Sequence, residues 1–122
     1  MMARRRTSAP RSANSLAVTA SFRAFVLDQL EELGDVVPRS MFGGVGLYRR
    51  GLFFGIVAGD VLYLKTDDET RPEFEAAGSR PFRPYPNRGG TMAYYSVPVS
   101  VLESAPELAR WARLAVAAAA RK

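Results

Sequence analysis

The chain of 122 residues contains no cysteine and no histidine. The lack of cysteine excludes disulfide bonds and thiolate zinc sites, and the lack of histidine removes the side chain most often used in acid–base catalysis and metal binding. No apolar run approaches the roughly 20 residues of a membrane-spanning helix, so we expect no membrane partner. No apolar stretch follows the N-terminal arginines, as a secretory signal would require. The cytoplasm is therefore the expected location.

The composition is that of an ordinary globular protein. Apolar residues make up 48% of the chain and charged residues 24%. A chain of this length can bury a hydrophobic core without disulfides or metals. We find no internal repeat and no linker after the N-terminal tail, so we expect one domain over residues 16–122.

The net charge of +5 comes from the two ends of the chain. Residues 1–15 contain no acidic side chain and four basic ones, Arg4, Arg5, Arg6 and Arg11. Two further basic residues close the chain, and the part between carries slightly more acidic than basic side chains. We therefore predict a disordered basic tail over residues 1–15, which could contact phosphate backbones without sequence specificity.

The first half of the chain predicts a helix followed by three strands. Ser21 is a candidate cap for a helix over about 22–33, which Gly34 ends. Its apolar stripe consists of Phe22, Phe25, Val26, Leu30 and Leu33. From residue 38 the apolar pattern has a period of two, which predicts strands over about 39–49, 52–58 and 61–66. Arg50-Gly51 and Gly59-Asp60 are tight turns, so these strands are expected to be antiparallel.

The second half predicts a short helix over residues 67–78, strands over about 81–85 and 91–97, and a closing helix over about 106–120. Ser104 and Glu107 form a capping box before the closing helix. Its buried stripe is predicted to contain Leu108, Trp111, Leu114, Ala115 and Ala118. The expected fold is α+β, with two layers: helices packed on a mainly antiparallel five-stranded sheet, in the order αβββαββα.

The glycine-rich run Gly43-Gly44-Val45-Gly46 invites comparison with phosphate-binding loops. It matches neither the P-loop nor the dinucleotide pattern, and it leads into a strand and not into a helix. We therefore expect structural glycines. Gly44 and Gly46 would lie on one face of a strand and let another backbone or an aromatic ring approach closely.

Two other groups of residues invite a chemical role. The consecutive acids Asp67, Asp68 and Glu69 do not follow the calcium-loop pattern, and their place at a helix start is explained by the helix dipole. Tyr94 and Tyr95 belong to no known catalytic motif and have no neighbouring base in the sequence, so they are expected to be ordinary strand residues. We therefore expect no catalytic, cofactor-binding or metal-binding residues, no cofactor and no enzymatic activity.

Several predicted strands are apolar on both faces, which a sheet covered on one side only does not require. Either helices cover both faces in part, or one face is a surface for a partner. If Leu52 and Phe54 face the helices, Phe53 and the other residues that alternate with them face the other way. The candidate interaction surface then comprises Tyr48, Arg49, Arg50, Phe53, Val57 and Tyr63.

Two segments carry a family resemblance: R-S-M-F-G-G-V-G-L-Y at 39–48 and L-Y-L-K-T-D-D-E-T-R-P-E-F at 62–74. With 74–82 and 92–98, they resemble the N-terminal domain of the bacterial TfoX/Sxy family in order and spacing, over roughly 17–118. The resemblance implies helices packed on an antiparallel sheet and a regulatory role. Fuller members assist the cyclic-AMP receptor protein at competence promoters and carry a second, helical domain. This sequence does not include that domain, so a stand-alone N-terminal domain is expected.

The expected function is thus a non-enzymatic, regulatory protein-interaction domain. Its partner would be a protein of the transcription machinery or a second copy of the chain. One alternative is a nucleic-acid-associated module that uses the arginine-rich tail for non-specific affinity. Another is a small-molecule-binding domain, for which no residue argues directly.

Overall fold

The computed structural model describes residues 16–41, 43–84 and 92–121, and the predicted basic tail lies outside them. The fold is α+β, as predicted, with helices packed on one antiparallel sheet. Its elements are α1 (Ala20–Gln29), β1 (Val36–Met41), β2 (Gly44–Arg49), β3 (Leu52–Ala58), β4 (Val61–Lys65), α2 (Arg71–Ala76), β5 (Pro81–Phe82), β6 (Met92–Ser96), α3 (Val99–Leu102) and α4 (Ala105–Arg121). The strand order in the sheet is β1-β2-β3-β4-β6-β5.

The sheet of the described residues has six strands and not the predicted five. The segment 39–49, predicted as one strand, is the antiparallel pair of β1 and β2, in which Met41 lies opposite Gly44. Gly43 has a φ of 81°, a conformation that glycine adopts without steric cost. The chain reverses there, and β1 becomes the edge strand of the sheet.

Helix α1 begins slightly earlier than predicted, because Thr19 and not Ser21 caps it. The Thr19 hydroxyl oxygen accepts a hydrogen bond from the Phe22 N–H at 3.2 Å. The Asp60 carboxylate holds this cap in turn, accepting from the Thr19 N–H at 2.8 Å and from its hydroxyl at 3.0 Å. Phe25, predicted in the buried stripe, is 38% exposed, so the stripe is narrower than the sequence indicated.

The closing helix α4 starts one residue earlier than predicted, and Ser104 accepts the Glu107 N–H at 3.4 Å. Its buried residues are Leu108, Ala109, Trp111, Ala112, Ala115, Ala118 and Ala119. Most are alanines, which lets the helix lie close to β3 and β4. The Trp111 ring meets the Phe74 ring edge-on, with centroids 4.5 Å apart.

The main core lies between the helices and one face of the sheet. Its largest members are Val26, Leu30, Leu47, Phe54, Val57, Leu62, Leu64, Phe74, Leu108 and Trp111. These side chains are almost completely withdrawn from solvent, and their burial supplies most of the driving force for folding. No helix in the described parts of the chain is long and apolar enough to cross a membrane.

The helix predicted over 67–78 begins later than expected, since the first residue of α2 is Arg71. The Asp67 carboxylate accepts hydrogen bonds from the N–H groups of Glu69 and Thr70, both at 3.0 Å. Such a local side-chain turn competes with helix formation, which delays the first helical residue.

Candidate functional site

A β-bulge in β3 decides which residues face away from the helices. Tyr48 lies opposite Phe53, but the preceding residue of β2, Leu47, lies opposite Gly55, so Phe54 is an extra residue in β3. A single extra residue exchanges the two faces of everything beyond it. Val57, predicted for the interaction surface, therefore lies in the helix-covered core and is 1% exposed. That part of the prediction is wrong.

Among the described residues, the other side of the sheet carries five aromatic rings, which we call the aromatic face: Tyr48, Phe53, Tyr63, Phe82 and Tyr94. Tyr48 stacks on Phe53 at 5.0 Å between centroids, and Phe53 meets Tyr94 at 5.2 Å. Tyr63 meets Phe82 at 4.9 Å. Phe82 and Tyr94 are buried, whereas the other three are half-buried. Phe53 and Tyr63 thus lie on the face predicted for them.

Hydrogen bonding ties the aromatic face to the bulge. The Tyr94 hydroxyl donates to the backbone carbonyl oxygen of Phe53 at 3.2 Å, reaching across β4 to β3. Burial, and secondly the neighbouring Tyr48, raise the pKa of the Tyr94 phenol far above its ordinary value. Burial also raises the pKa of Tyr63. The Tyr94 hydroxyl therefore keeps its proton and acts as a hydrogen-bond donor.

Gly44 and Gly46 permit the close packing predicted for them. A Cβ atom on Gly44 would lie 2.5 Å from the backbone oxygen of Val57. One on Gly46 would lie 2.9 Å from the Met41 methyl carbon and 3.2 Å from the Phe53 ring. The lack of a side chain thus lets a backbone oxygen approach Gly44 and an aromatic ring approach Gly46, as predicted from the sequence.

A groove at the β1 end of the aromatic face combines apolar and basic groups. This arginine groove, of about 300 Å³, is lined by Val37, Arg39, Tyr48, Arg50 and Gly51. The Arg39 guanidinium carbon lies 5.5 Å from the centroid of the Tyr48 ring, within the range of a cation–π interaction. Val37, on the same face, is 48% exposed.

Sequence reasoning missed Val37 and Arg39. The apolar pattern predicts one strand over 39–49, whereas the structure has β1 and β2 side by side. In the sheet, Val37 lies opposite Tyr48, and Arg39 lies opposite Gly46. The glycine pair at 43–44 was the available indication of a chain reversal.

The two predicted arginines of the surface lie in different places. Arg49 faces the helices, where its Nε donates to the Gly34 carbonyl oxygen at 3.0 Å and its Nη2 to that of Leu33 at 3.2 Å. It therefore satisfies the carbonyl groups after α1 and does not belong to the aromatic face. Arg50 occupies the turn before β3 and pairs with Asp35 at 2.9 Å.

The acidic run after β4 is engaged in structural contacts. Asp67 accepts a hydrogen bond and ion pair from Arg121, and Asp68 pairs with Arg71 at 2.6 Å. Desolvation would raise the pKa of Asp67, but the Arg121 hydrogen bond and the local N–H donors hold it below the usual value. Within the described ranges, no group of three or more acidic side chains is arranged to hold a metal ion.

A known protein family matches the part of the chain that forms the aromatic face. The family model described as the TfoX N-terminal domain matches residues 28–119. The match includes all six strands, and with them the aromatic face and the arginine groove. A search of curated proteins gave no match.

Proposed function

Because the chain belongs to the TfoX N-terminal domain family, we propose that it is a non-enzymatic regulatory domain that acts by binding another protein. The proposed setting is bacterial transcription control in the cytoplasm, including the control of competence. The absence of histidine and cysteine supports a binding role over a catalytic one, because the commonest nucleophile–base and metal-ligand sets cannot be built.

The observation that carries this proposal is the exposure of Val37 beside the aromatic face. An exposed apolar side chain adjoins the stacked rings of Tyr48 and Phe53, and two arginines lie at the margin. Protein interfaces are enriched in aromatic residues and arginine at their centres and have polar margins. The β1 end of the aromatic face has this composition.

The face of the sheet is a better docking surface than its edge. β1 is the edge strand, and it contains Pro38. Proline lacks an N–H group, so it interrupts the row of donors that an added strand would use. A partner is therefore expected to contact side chains on the aromatic face, and not to extend the sheet.

The proposal can be tested by comparing captured proteins. The tagged full chain, its Val37→Asp variant and a Val99→Asp control would be used to capture partners from the native lysate, with quantitative mass spectrometry. Val99 is a matched control because it is 66% exposed and lies on α3, in the helix layer. We expect polymerase subunits or a transcription factor with the wild type and the control, and their loss with Val37→Asp.

A second measurement identifies self-association. Light scattering of the purified chain gives its mass in solution, and a dimer lost only in Val37→Asp would make the partner a second copy. Capture of metabolic enzymes alone would contradict the regulatory proposal. Equal capture by all three proteins would show that the aromatic face is not the docking surface.

A further inference from the structure

The arginine groove holds more positive charge than its surroundings neutralise. Arg39 forms no ion pair with any described residue, and its only described partner is the Tyr48 ring. Arg50 pairs with Asp35, but the two side chains are 69% and 58% exposed. An ion pair so exposed contributes little to stability and exchanges readily for another carboxylate. Both guanidinium groups are therefore available to an incoming anion.

The backbone at Arg50 also points to a role beyond folding. Arg50 and Gly51 have φ values of 51° and 83°, those of a type I′ turn. Asparagine or glycine is favoured at the Arg50 position, because a long side chain is strained in the left-handed region. Asp35, its partner, has a φ of 60°, which aspartate adopts more readily than a long side chain does. An exposed ion pair does not account for the strain at Arg50, and strained residues often mark functional sites.

We propose that the arginine groove binds an acidic segment of a partner protein. Carboxylates of the segment would pair with Arg39 and Arg50, displacing Asp35, and a neighbouring apolar side chain would contact Val37 and the Tyr48 ring. Guanidinium groups suit this task because their planar donors match a carboxylate in a two-point contact. The inference rests on the proposed function and names the chemistry of the partner.

The geometry favours an acidic peptide over single-stranded nucleic acid. Nucleic-acid platforms require ring faces on which bases can stack. Arg39 covers one face of Tyr48, and Phe53 stacks on the same ring. A base would have to displace one of them. A carboxylate can instead approach the edge of the Arg39 guanidinium and leave the rings in place.

The test is selection from a phage-displayed library of random dodecapeptides on the immobilised full chain. Four variants accompany the wild type: Arg39→Glu, Arg39→Lys, Val37→Asp and the helix-layer control Arg113→Glu. Arg113 forms an exposed ion pair with Glu32 and does not line the groove. Thermal melting of each variant confirms that it remains folded. Selected peptides are then measured by fluorescence anisotropy, beside a matched peptide with Gln at each acidic position and an oligothymidine.

We expect the wild type and Arg113→Glu to select peptides enriched in Asp and Glu with an apolar neighbour. Affinity should fall about tenfold or more in Arg39→Glu and in the Gln peptide, and less in Arg39→Lys, which keeps the charge but loses the two-point contact. Selection without acidic enrichment, or no selection, overturns the inference. Tighter binding of the oligothymidine, lost in Arg39→Glu, replaces it with a nucleic-acid site. Apolar peptides that require Val37 but not Arg39 would leave protein docking standing while removing the acidic partner.

Discussion

The two faces of the sheet are built from different kinds of side chain. The helix-covered face is mainly aliphatic, and α4 closes it with a run of alanines and Trp111. The aromatic face has five rings, three of which carry hydroxyl groups, and cationic groups lie over the rings of Tyr48 and Tyr94. Both faces are apolar along the strands, and the aromatic face ends in a groove with an exposed valine.

This difference separates stability from recognition. Aliphatic side chains interdigitate without polar atoms and give a close-packed core. Tyrosines and arginines combine apolar surface with polar ends, which suits a surface that alternates between water and a partner. Substitutions on the helix-covered face should therefore affect folding most, and those near the arginine groove should affect it least.

The largest effect is expected for Trp111→Ala. Trp111 is buried against Phe74, and its removal leaves a cavity between α4 and the sheet. The free energy of unfolding should fall by about 3–5 kcal/mol, measured by urea denaturation. Trp111→Phe is the control and should cost clearly less, since the indole nitrogen makes no hydrogen bond of normal geometry with any described residue. A near-neutral Trp111→Ala would mean that α4 is not the main cover of the core.

The next largest effect is expected for Gly44→Ala, with Gly46→Ala as its matched control. A Cβ on Gly44 meets the backbone oxygen of Val57 at 2.5 Å, and a backbone cannot move without disturbing the sheet. Gly44→Ala should cost about 1–3 kcal/mol of unfolding free energy. Gly46→Ala should cost less, because the nearest atoms belong to the flexible end of Met41. Equal costs in urea denaturation would contradict the close approach at Gly44.

The fold was predictable where local patterns are sufficient. The turns at Arg50-Gly51 and Gly59-Asp60 have the positive φ values expected for tight hairpins. The cap at Ser104 and the burial of Trp111 also follow from short-range sequence patterns.

The misplaced residues depend on contacts between distant segments. The run 52–58 is apolar throughout, so no local pattern marks Phe54 as the bulged residue. The face predicted for Val57 was wrong for this reason. The prediction for Arg49 was wrong because no local pattern places its guanidinium beside the carbonyl group of the segment after α1. The two groups come together only in the folded chain. The groove was missed because it requires β1 and β2 to lie side by side.

A moderate effect is expected for Tyr94→Phe, which removes the hydroxyl that donates to Phe53. At neutral pH the loss should be about 0.5–1.5 kcal/mol of unfolding free energy. Because folding raises the pKa of Tyr94, the unfolded chain loses the phenolic proton first. The stabilisation is complete below the unfolded pKa near 10 and declines as pH rises above it.

The measurement for Tyr94 is urea denaturation of both proteins between pH 7 and pH 11. The wild type should lose its advantage over Tyr94→Phe as pH rises through the upper end of this range. Residues other than Tyr94 titrate alike in the two proteins, so the difference isolates this hydroxyl. A difference independent of pH would show that Tyr94 ionises as readily in the folded chain as in the unfolded one.

The smallest effect, and the only favourable one, is expected for Arg50→Gly. Glycine adopts a φ of 51° without strain, whereas the lost ion pair with Asp35 is exposed and weak. The unfolding free energy should rise by about 0.5–1 kcal/mol, seen as a small increase in Tm. Arg49→Ala is the contrasting control and should be destabilising, since Arg49 satisfies two carbonyl oxygens after α1. If Arg50→Gly gains stability but loses the acidic peptides, Arg50 serves recognition at the expense of the fold. If it loses stability, the pair with Asp35 is structural and the strain at Arg50 needs no functional explanation.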